Sequence, residues 1–293
     1  MNSNKKFSFL TLAKQKCYKL IDSWQSFFSM IKSIFAEPLK LRSIKGSGAN
    51  HLIISWSKST DSNIWRKLES QKFDLSLAIG VFGSDGCPAS PTAQEKLFRK
   101  LTNVLRLNPK QIWLDHFRFD GHWESIIGNN IPEIHQNCQW CRRKNRLEIL
   151  KKISVDIASF CQGKTSAGYF AVPFRPKEVP QLITGLGQDH SVLGKIFDLA
   201  SPMLYHRMIK KPTAYISQYV NWLANVTQKP VLPIIQVRNE PPDLKDTLTE
   251  EEITQAFKEA AKFPSQGVSF FWLTAALETN KRGVIKKLFA TLL

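Results

Sequence analysis

The sequence lacks a long apolar run and has few cysteines. No stretch reaches the roughly 18 uninterrupted apolar residues that a membrane-spanning helix needs, so we predict a globular protein. Five cysteines among 293 residues form an odd and sparse set. Such a set argues against a secreted disulfide scaffold and favours a reducing compartment. The N-terminal lysines interrupt any apolar signal region, so we predict no cleaved signal peptide and a cytoplasmic location.

Glycine-rich nucleotide motifs are absent as well. Neither G-x-G-x-x-G nor G-x-x-x-x-G-K-[ST] occurs in the chain. An open doubly wound sheet usually carries such a glycine-rich first turn. The absence therefore argues against that fold and against a bound nucleotide.

Acidic residues are scarce relative to basic ones. The chain has 24 Asp and Glu against 41 Lys and Arg, a formal net charge of +17, and such a field attracts nucleic acid, anionic lipid or acidic polysaccharide. No nucleic-acid-binding module is recognisable, and the lysines beyond residue 50 do not form one stripe, which argues against a nucleic-acid partner. The first fifty residues concentrate the charge, with nine lysines and arginines against only Asp22 and Glu37.

The N-terminal segment has a helical apolar pattern. Between residues 10 and 35, apolar residues recur at spacings of three and four, which predicts an amphipathic helix. A basic helix of this kind either lies on an anionic membrane or packs against its own domain, and the sequence leaves both open. "KGSGANH" at 45–51 predicts a flexible joint after it. We therefore predict a helical extension over 1–45, with peripheral membrane contact as one of its roles, and a single domain over 46–293.

Short apolar runs alternate with longer helical patterns through the rest of the chain. Seven runs read as strands, and the segments between them read as helices, which implies a parallel sheet. The runs are 51–56, 74–82, 111–119, 166–174, 199–206, 229–237 and 267–273. With a weaker candidate strand at 39–44, this pattern predicts a (β/α)8 TIM barrel.

The stretch "QIWLDHFRFDGHWE" (111–124) concentrates charge and aromatic rings at one predicted strand end. Active sites of barrels lie at the C-terminal ends of the strands. Because side chains alternate along a strand, Trp113, Asp115 and Phe117 are expected on one face. If that face points inward, Asp115 lies at the rim as a nucleophile or base. A purely structural role, pairing with Arg118 or capping the next turn, remains open.

Two motifs carry a family resemblance. "IWLDHFRFD" together with "SPMLYH" (201–206) resembles the paired strand motifs of uncharacterised TIM-barrel glycosyl hydrolases, a hypothetical-glycosidase group related to amylase-like and chitinase-like barrels. The resemblance extends from about residue 50 to the C-terminus. It implies that Asp115 is the catalytic carboxylate of the fourth strand, Arg118 its neighbour and Tyr205 a substrate-facing group.

Glycoside cleavage usually needs a second carboxyl group, about 5 to 5.5 Å away for retention or about 6.5 to 9.5 Å for inversion. We rank Glu124 and Glu278 nearly level for this role, followed by Asp120 and Asp85. The first hypothesis is therefore a glycoside hydrolase acting on a polysaccharide or glycoconjugate. The alternative is a non-catalytic carbohydrate-binding or scaffold barrel that lacks the second acid.

Rings and polar groups near the predicted strand ends suit a sugar ligand. Aromatic faces stack on pyranose rings while amides, guanidinium groups and imidazoles reach the hydroxyls. The predicted substrate-binding residues are Arg118, His116, Trp123, Tyr205, His206, Gln236 and Trp272. Trp56 and Tyr169 are further ring candidates, and for every ring ordinary core packing remains open.

"HQNCQWC" offers half of a structural zinc site. Cys138 and Cys141 form a Cys-x-x-Cys pair, and His135 precedes them. The other half is missing from the local sequence, and Cys161 could complete the set only if the fold brought it close. We therefore predict two reduced cysteines here, with no metal and no other cofactor.

Overall fold

The computed structural model describes residues 30–36, 44, 46–57, 62–83, 86–119, 135, 137–240 and 245–292. Ile31–Leu292 forms one compact unit. No helix among the described residues is both long enough and apolar enough to cross a membrane.

Strands and helices alternate along the described chain. The strands are β1 Ile31–Ala36, β2 His51–Ser55, β3 Asp74–Gly80, β4 Gln111–Asp115, β5 Ser166–Ala171, β6 Leu199–Pro202, β7 Ile234–Gln236 and β8 Gly267–Phe271. The helices are α1 Ser62–Glu69, α2 Pro91–Leu105, α3 Arg146–Cys161, α4 Gln181–Thr184, α5 His190–Ile196, α6 Ala214–Thr227, α7 Glu250–Ala260, α8 Leu273–Glu278 and α9 Arg282–Ala290.

The eight strands form one parallel sheet that curls into a barrel. Its strand order is β6-β5-β4-β3-β2-β1-β8-β7. Isolated parallel bridges from Ala200 to Val231 and from Met203 to Ile234 connect the two ends of the sheet. The predicted (β/α)8 barrel is confirmed, with a seam between β6 and β7 that is nearly closed.

All seven predicted strands are confirmed, but the first strand differs from both predictions for its region. Ile31–Ala36 pairs with β2 on one side and β8 on the other, so the helix prediction is wrong over residues 31–35. A short apolar run fits a buried strand and a helix face equally well, which is why spacing misassigned it. The rest of that helix, and all of the candidate strand 39–44 except Ile44, lie outside the described residues. β1 therefore precedes the predicted boundary at 45/46.

A cluster of mostly large apolar side chains packs in the barrel interior. Phe35, Ile53, Ala78, Trp113, Phe170, Leu199, Tyr205, Leu232 and Ile234 form this cluster. Trp113 and Phe170 stack with ring centroids 5.8 Å apart. Gly168 makes room for the indole, because a Cβ there would lie 2.7 Å from Trp113 Cζ3. The interior is a packed core below the mouth, so ligand chemistry is confined to the rim.

A buried polar layer lies at the opposite, N-terminal end. The His51 ring bonds Ser33 Oγ through Nδ1 at 3.0 Å and Ser76 Oγ through Nε2 at 2.7 Å. Burial lowers the pKa of His51 to about 4. The imidazole therefore links β1, β2 and β3 as a neutral group.

The helices cover the outer face of the barrel. Phe270 of β8 contacts Phe257 of α7 and Phe289 of α9, with centroids 5.8 and 5.3 Å apart. The Thr249 side chain accepts a hydrogen bond from Glu252 N at 3.2 Å and caps α7.

Candidate active site

Asp115 is the last residue of β4, at the C-terminal mouth of the barrel. Its Oδ1 accepts a hydrogen bond from the His116 backbone N–H at 2.8 Å, and its side chain is 34% exposed. His116 has φ +54°, which turns the chain out of the strand, and its Nε2 lies 3.9 Å from Asp115 Oδ2. Two residues earlier on the same face, Trp113 is fully buried in the interior cluster. Asp115 therefore sits on the rim above the aromatic core.

Phe117 does not share this face. The strand ends at Asp115, and Phe117 packs against Phe82 and Phe197, with centroids 5.8 and 5.4 Å away. Phe197 also contacts Tyr169, whose hydroxyl bonds His190 of α5. The expected common face for Trp113, Asp115 and Phe117 is thus wrong at Phe117, because the turn at His116 breaks the alternation.

Tyr205 follows β6 and reaches the same part of the barrel. It stacks on Phe271 with centroids 5.1 Å apart, and Phe271 in turn stacks on Trp272 at 5.7 Å. Burial raises the pKa of the Tyr205 hydroxyl well above its ordinary value, and the charges of Asp115 and Glu240 raise it further. The carboxyl groups of Asp115 and of Glu240, which follows β7, are therefore both within electrostatic range of one phenol.

Glu240, beyond the end of β7, is a candidate that the sequence reasoning missed. Its side chain is 10% exposed, and its Oε1 lies 3.5 Å from Arg238 Nε. Burial raises the pKa of the Glu240 carboxyl, although Arg238 opposes that rise. The sequence gives no periodic signal for Glu240, since β7 ends at Gln236 and the predicted apolar run ended at residue 237.

Arg238 connects the candidate acids to a ring. Its Nη1 donates to Glu278 Oε2 at 2.8 Å, and its guanidinium lies 5.8 Å from the Trp272 ring centroid. The Glu278 side chain is 51% exposed. Glu278, Glu240 and Trp272 therefore meet around one guanidinium.

Two predicted sugar-binding residues point elsewhere. His206 Nε2 bonds Glu252 Oε1 of α7 at 2.9 Å, and burial lowers the pKa of this histidine while Glu252 opposes the fall. Gln236 is fully buried, accepts from Arg207 N at 3.1 Å and donates to Arg238 O at 2.8 Å. In this arrangement both side chains hold the loops after β6 and β7 in place.

The remaining predicted residues have mixed outcomes. Glu124, Trp123, Asp120 and Asp85 lie outside the described residues. Arg118 is partly buried just beyond β4, and Trp56 is partly buried just beyond β2. Tyr169 is fully buried against α5, which is the core packing that the sequence left open for it.

A second group of reactive side chains lies in the loops after β3 and β4. Cys87, His135, Cys138 and Cys141 bring their Sγ and ring nitrogen atoms within 4.8 Å of one another. Cys87, which the sequence reasoning did not consider for this site, completes a set of four possible ligands. Cys161, the residue considered for that role, ends α3 and is not part of this cluster.

Comparison with known proteins gives similarities of structure. No family model matches the chain, and no curated protein matches it. The glycoside hydrolase domain of PgaB (BpsB) from Bordetella bronchiseptica superposes with a TM-score of 0.63 at 9% identity, over 89% of this chain and 99% of that one. A chitinase from Bacteroides thetaiotaomicron gives 0.61 at 8%, over 89% and 96%. A class V chitinase mutant from Cycas revoluta, in complex with (GlcNAc)3, gives 0.54 at 9%, over 88% and 99%.

The chain has the barrel fold of these glycoside hydrolases. The neighbours are chitinase-like barrels, as the resemblance of the two strand motifs implied. At these identities the likeness is one of fold, and the chemistry depends on the residues at the mouth.

Proposed function

We propose that the protein is a glycoside hydrolase that acts on a polysaccharide or glycoconjugate at the C-terminal mouth of its barrel. The proposal rests on the position of two carboxyl groups at the mouth: Asp115, the last residue of β4, and Glu240, beyond β7, are both close enough to the buried Tyr205 hydroxyl for their charges to raise its pKa. Glycosidic cleavage usually needs a pair of carboxyl groups that flank the scissile bond. The names of the neighbours favour an N-acetylglucosamine polymer as the first substrate to test.

The two acids differ in environment, which assigns their roles. Glu240 is largely buried and its pKa is raised, so it retains a proton to higher pH than an exposed glutamate. It is the proton donor to the glycosidic oxygen that leaves. Asp115 is more exposed, and its Oδ1 accepts a hydrogen bond from the His116 backbone N–H. It faces the positive charge that develops on the sugar ring.

Aromatic groups beside these acids supply a sugar platform. Tyr205, Phe271 and Trp272 stack in sequence along one side of the mouth. The indole Nε1 of Trp272 is buried and has no hydrogen-bond partner among the described residues. A sugar hydroxyl would satisfy this donor while the pyranose face packs on the rings.

The test is hydrolysis of a panel of oligosaccharides that includes chitin oligomers. Asp115→Asn should reduce kcat/KM by about 10²-fold to 10⁴-fold, because it removes one charged carboxyl group. Asp156→Asn is the matched control, since Asp156 lies on the outer helix α3 and pairs with Lys152. Turnover by wild type that persists unchanged in Asp115→Asn contradicts the role given to Asp115.

A carbohydrate-binding barrel without turnover is the second candidate. It is favoured by one observation, the pairing of both Glu240 and Glu278 with Arg238, which offers each acid a structural role. Binding of chitin oligomers by the wild type, with no hydrolysis of any member of the panel, would support this candidate over the enzyme.

A further inference from the structure

The cluster of Cys87, His135, Cys138 and Cys141 has the dimensions of a tetrahedral metal site. Structural zinc is held by four ligands, with Zn–S near 2.3 Å and Zn–N near 2.0 to 2.1 Å. These bond lengths require an S to N separation of about 3.5 Å across a tetrahedral edge. Cys141 Sγ and His135 Nδ1 are 3.5 Å apart, and all four ligand atoms lie within 4.8 Å of one another.

Backbone N–H groups point at the cysteine sulfurs. Ala89 N donates to Cys87 Sγ at 3.4 Å, and the N–H groups of Cys141 and Trp140 bond the sulfur of Cys138. Hydrogen bonds of this kind stabilise a thiolate and orient it as a ligand. The Cys-x-x-Cys turn therefore directs two N–H donors at the Cys138 sulfur, and Cys87 meets this turn from another loop.

The surroundings suit a cluster with excess negative charge. His135 and Cys141 are buried, and Phe119 packs edge-on against the His135 ring with centroids 5.5 Å apart. The Arg146 guanidinium lies over Phe119, 5.2 Å from its centroid, which places a positive charge near the cluster. Three thiolates and one neutral imidazole around a divalent ion carry a net charge of −1, which Arg146 offsets.

We propose that Cys87, His135, Cys138 and Cys141 bind one Zn²⁺ ion as a closed structural site. Soft thiolates with one imidazole in a tetrahedron select zinc among the common divalent ions. All four positions come from protein side chains, so no position remains for a water nucleophile. Binding releases the three thiol protons to solvent and involves no redox change.

The position of the ion defines its task. Cys87 lies between β3 and α2, whereas the other three ligands lie between β4 and α3. The zinc ion would cross-link two neighbouring loops on the same face of the barrel as Asp115. This inference does not depend on the enzymatic proposal, because it concerns ligand geometry alone.

The experiment is metal analysis of the full chain purified under reducing conditions from zinc-supplemented medium. We expect one zinc per chain by mass spectrometry of the metals. After removal of zinc, titration with Co²⁺ should give the visible absorption of tetrahedral cobalt and sulfur-to-cobalt charge transfer from three thiolates. Cys87→Ser should lose one third of that charge-transfer intensity or all of the bound metal.

Cys161→Ser is the matched control, since Cys161 is a buried free cysteine outside the cluster. It should bind zinc and cobalt as the wild type does. Far-ultraviolet circular dichroism identifies variants that fail to fold. If Cys87→Ser fails to fold, the cobalt titration of the wild type still tests whether the site binds metal. Absence of both zinc and the cobalt spectrum from folded wild type, or a Cys138–Cys141 disulfide in the intact mass, overturns the proposal.

Discussion

Arg238 holds two carboxylates that differ in burial, and this difference separates their roles at the residue scale. Glu240 is 10% exposed and its pKa is raised, whereas Glu278 is 51% exposed. A proton donor needs a carboxyl group that stays protonated near the working pH. Of these two residues, Glu240 therefore fits the role of the acid, and Glu278 serves to balance the charge of Arg238.

This assignment predicts a difference in pH dependence between two conservative variants. A general acid is active while protonated, so the wild-type rate should fall as pH rises through the raised pKa of Glu240. Glu240→Gln should reduce kcat by about 10²-fold or more and remove that fall. Glu278→Gln should keep the profile. A profile of kcat against pH for each variant decides, and an unchanged descending limb in Glu240→Gln contradicts the assignment.

Sequence patterns located Asp115 and Tyr205 but not Glu240. The apolar run before Asp115 and the strand-end rule fix the position of that carboxylate on the rim. Glu240 lies four residues after the last residue of β7, where no periodic rule fixes side-chain direction. His206 and Gln236 looked like ligand groups for the opposite reason, since sequence does not show that α7 and the neighbouring backbone already bind them.

At the scale of elements, α7 holds the loop that follows β6. Glu252 in the first turn of α7 bonds His206 and Arg207, the two residues after Tyr205. The paired hydrogen bonds from Arg207 hold the pKa of Glu252 at about 2. Partial burial of Glu252 opposes this lowering, and the hydrogen bond with His206 adds to it. The position of Tyr205 at the mouth therefore depends on a helix outside the barrel.

Because of this contact, we expect part of the unfolding free energy to be lost at acid pH. The pKa of Glu252 is lower when folded than its usual unfolded value of about 4.3, so its contribution is present above that pH and is lost as pH falls towards about 2. Glu252→Gln should lower the unfolding free energy at neutral pH by roughly 1 kcal/mol and flatten this loss. Urea unfolding at neutral and acid pH measures both effects.

Glu251→Gln is the control for this pair. Glu251 occupies the same first turn and shares the favourable interaction with the helix dipole, but it is exposed. Equal losses for the two variants would mean that the helix dipole, and not the contact with Arg207, accounts for the stability.

The sequence predicted strands β2 to β8 but not β1. Seven apolar runs bounded by helical patterns became β2 to β8, because a parallel strand buried on both faces reads as a continuous apolar run. β1 was not predicted as a strand, because its residues also fit the apolar spacing of the predicted helix. The four-residue cluster of Cys87, His135, Cys138 and Cys141 was also not predicted. Cys87 is 48 residues before His135 in the sequence, and the two come together only because β3 and β4 are neighbours in the sheet.

At the scale of the whole molecule, two buried imidazoles are neutral. His51 lies at the N-terminal end of the barrel, and His190 lies at the start of α5. Burial lowers the pKa of both His51 and His190 to about 4. Contact of residues 1–45 with a membrane stays a prediction. A truncation to test it should end at residue 29, because a longer one removes β1.

The two imidazoles predict a loss of global stability at mildly acid pH. Each takes up its proton near pH 6.5 when unfolded but only near pH 4 when folded, so the unfolding free energy falls as pH decreases between these values. Each contributes at most about 1.4 kcal/mol per pH unit. The urea concentration at the unfolding midpoint, measured for the wild type and His51→Gln between pH 4 and 6.5, tests this prediction. The variant should show the shallower slope, and equal slopes contradict the account.

A crystal structure of Asp115→Asn with a bound chitin oligomer would show whether the mouth around Asp115 and Glu240 is a glycosidase site. We expect a sugar ring stacked on Trp272 and a glycosidic oxygen within about 2.6 to 3.2 Å of the Glu240 carboxyl group. An oligomer bound away from the mouth, or bound there with Glu240 still turned to Arg238 and out of reach, would contradict it.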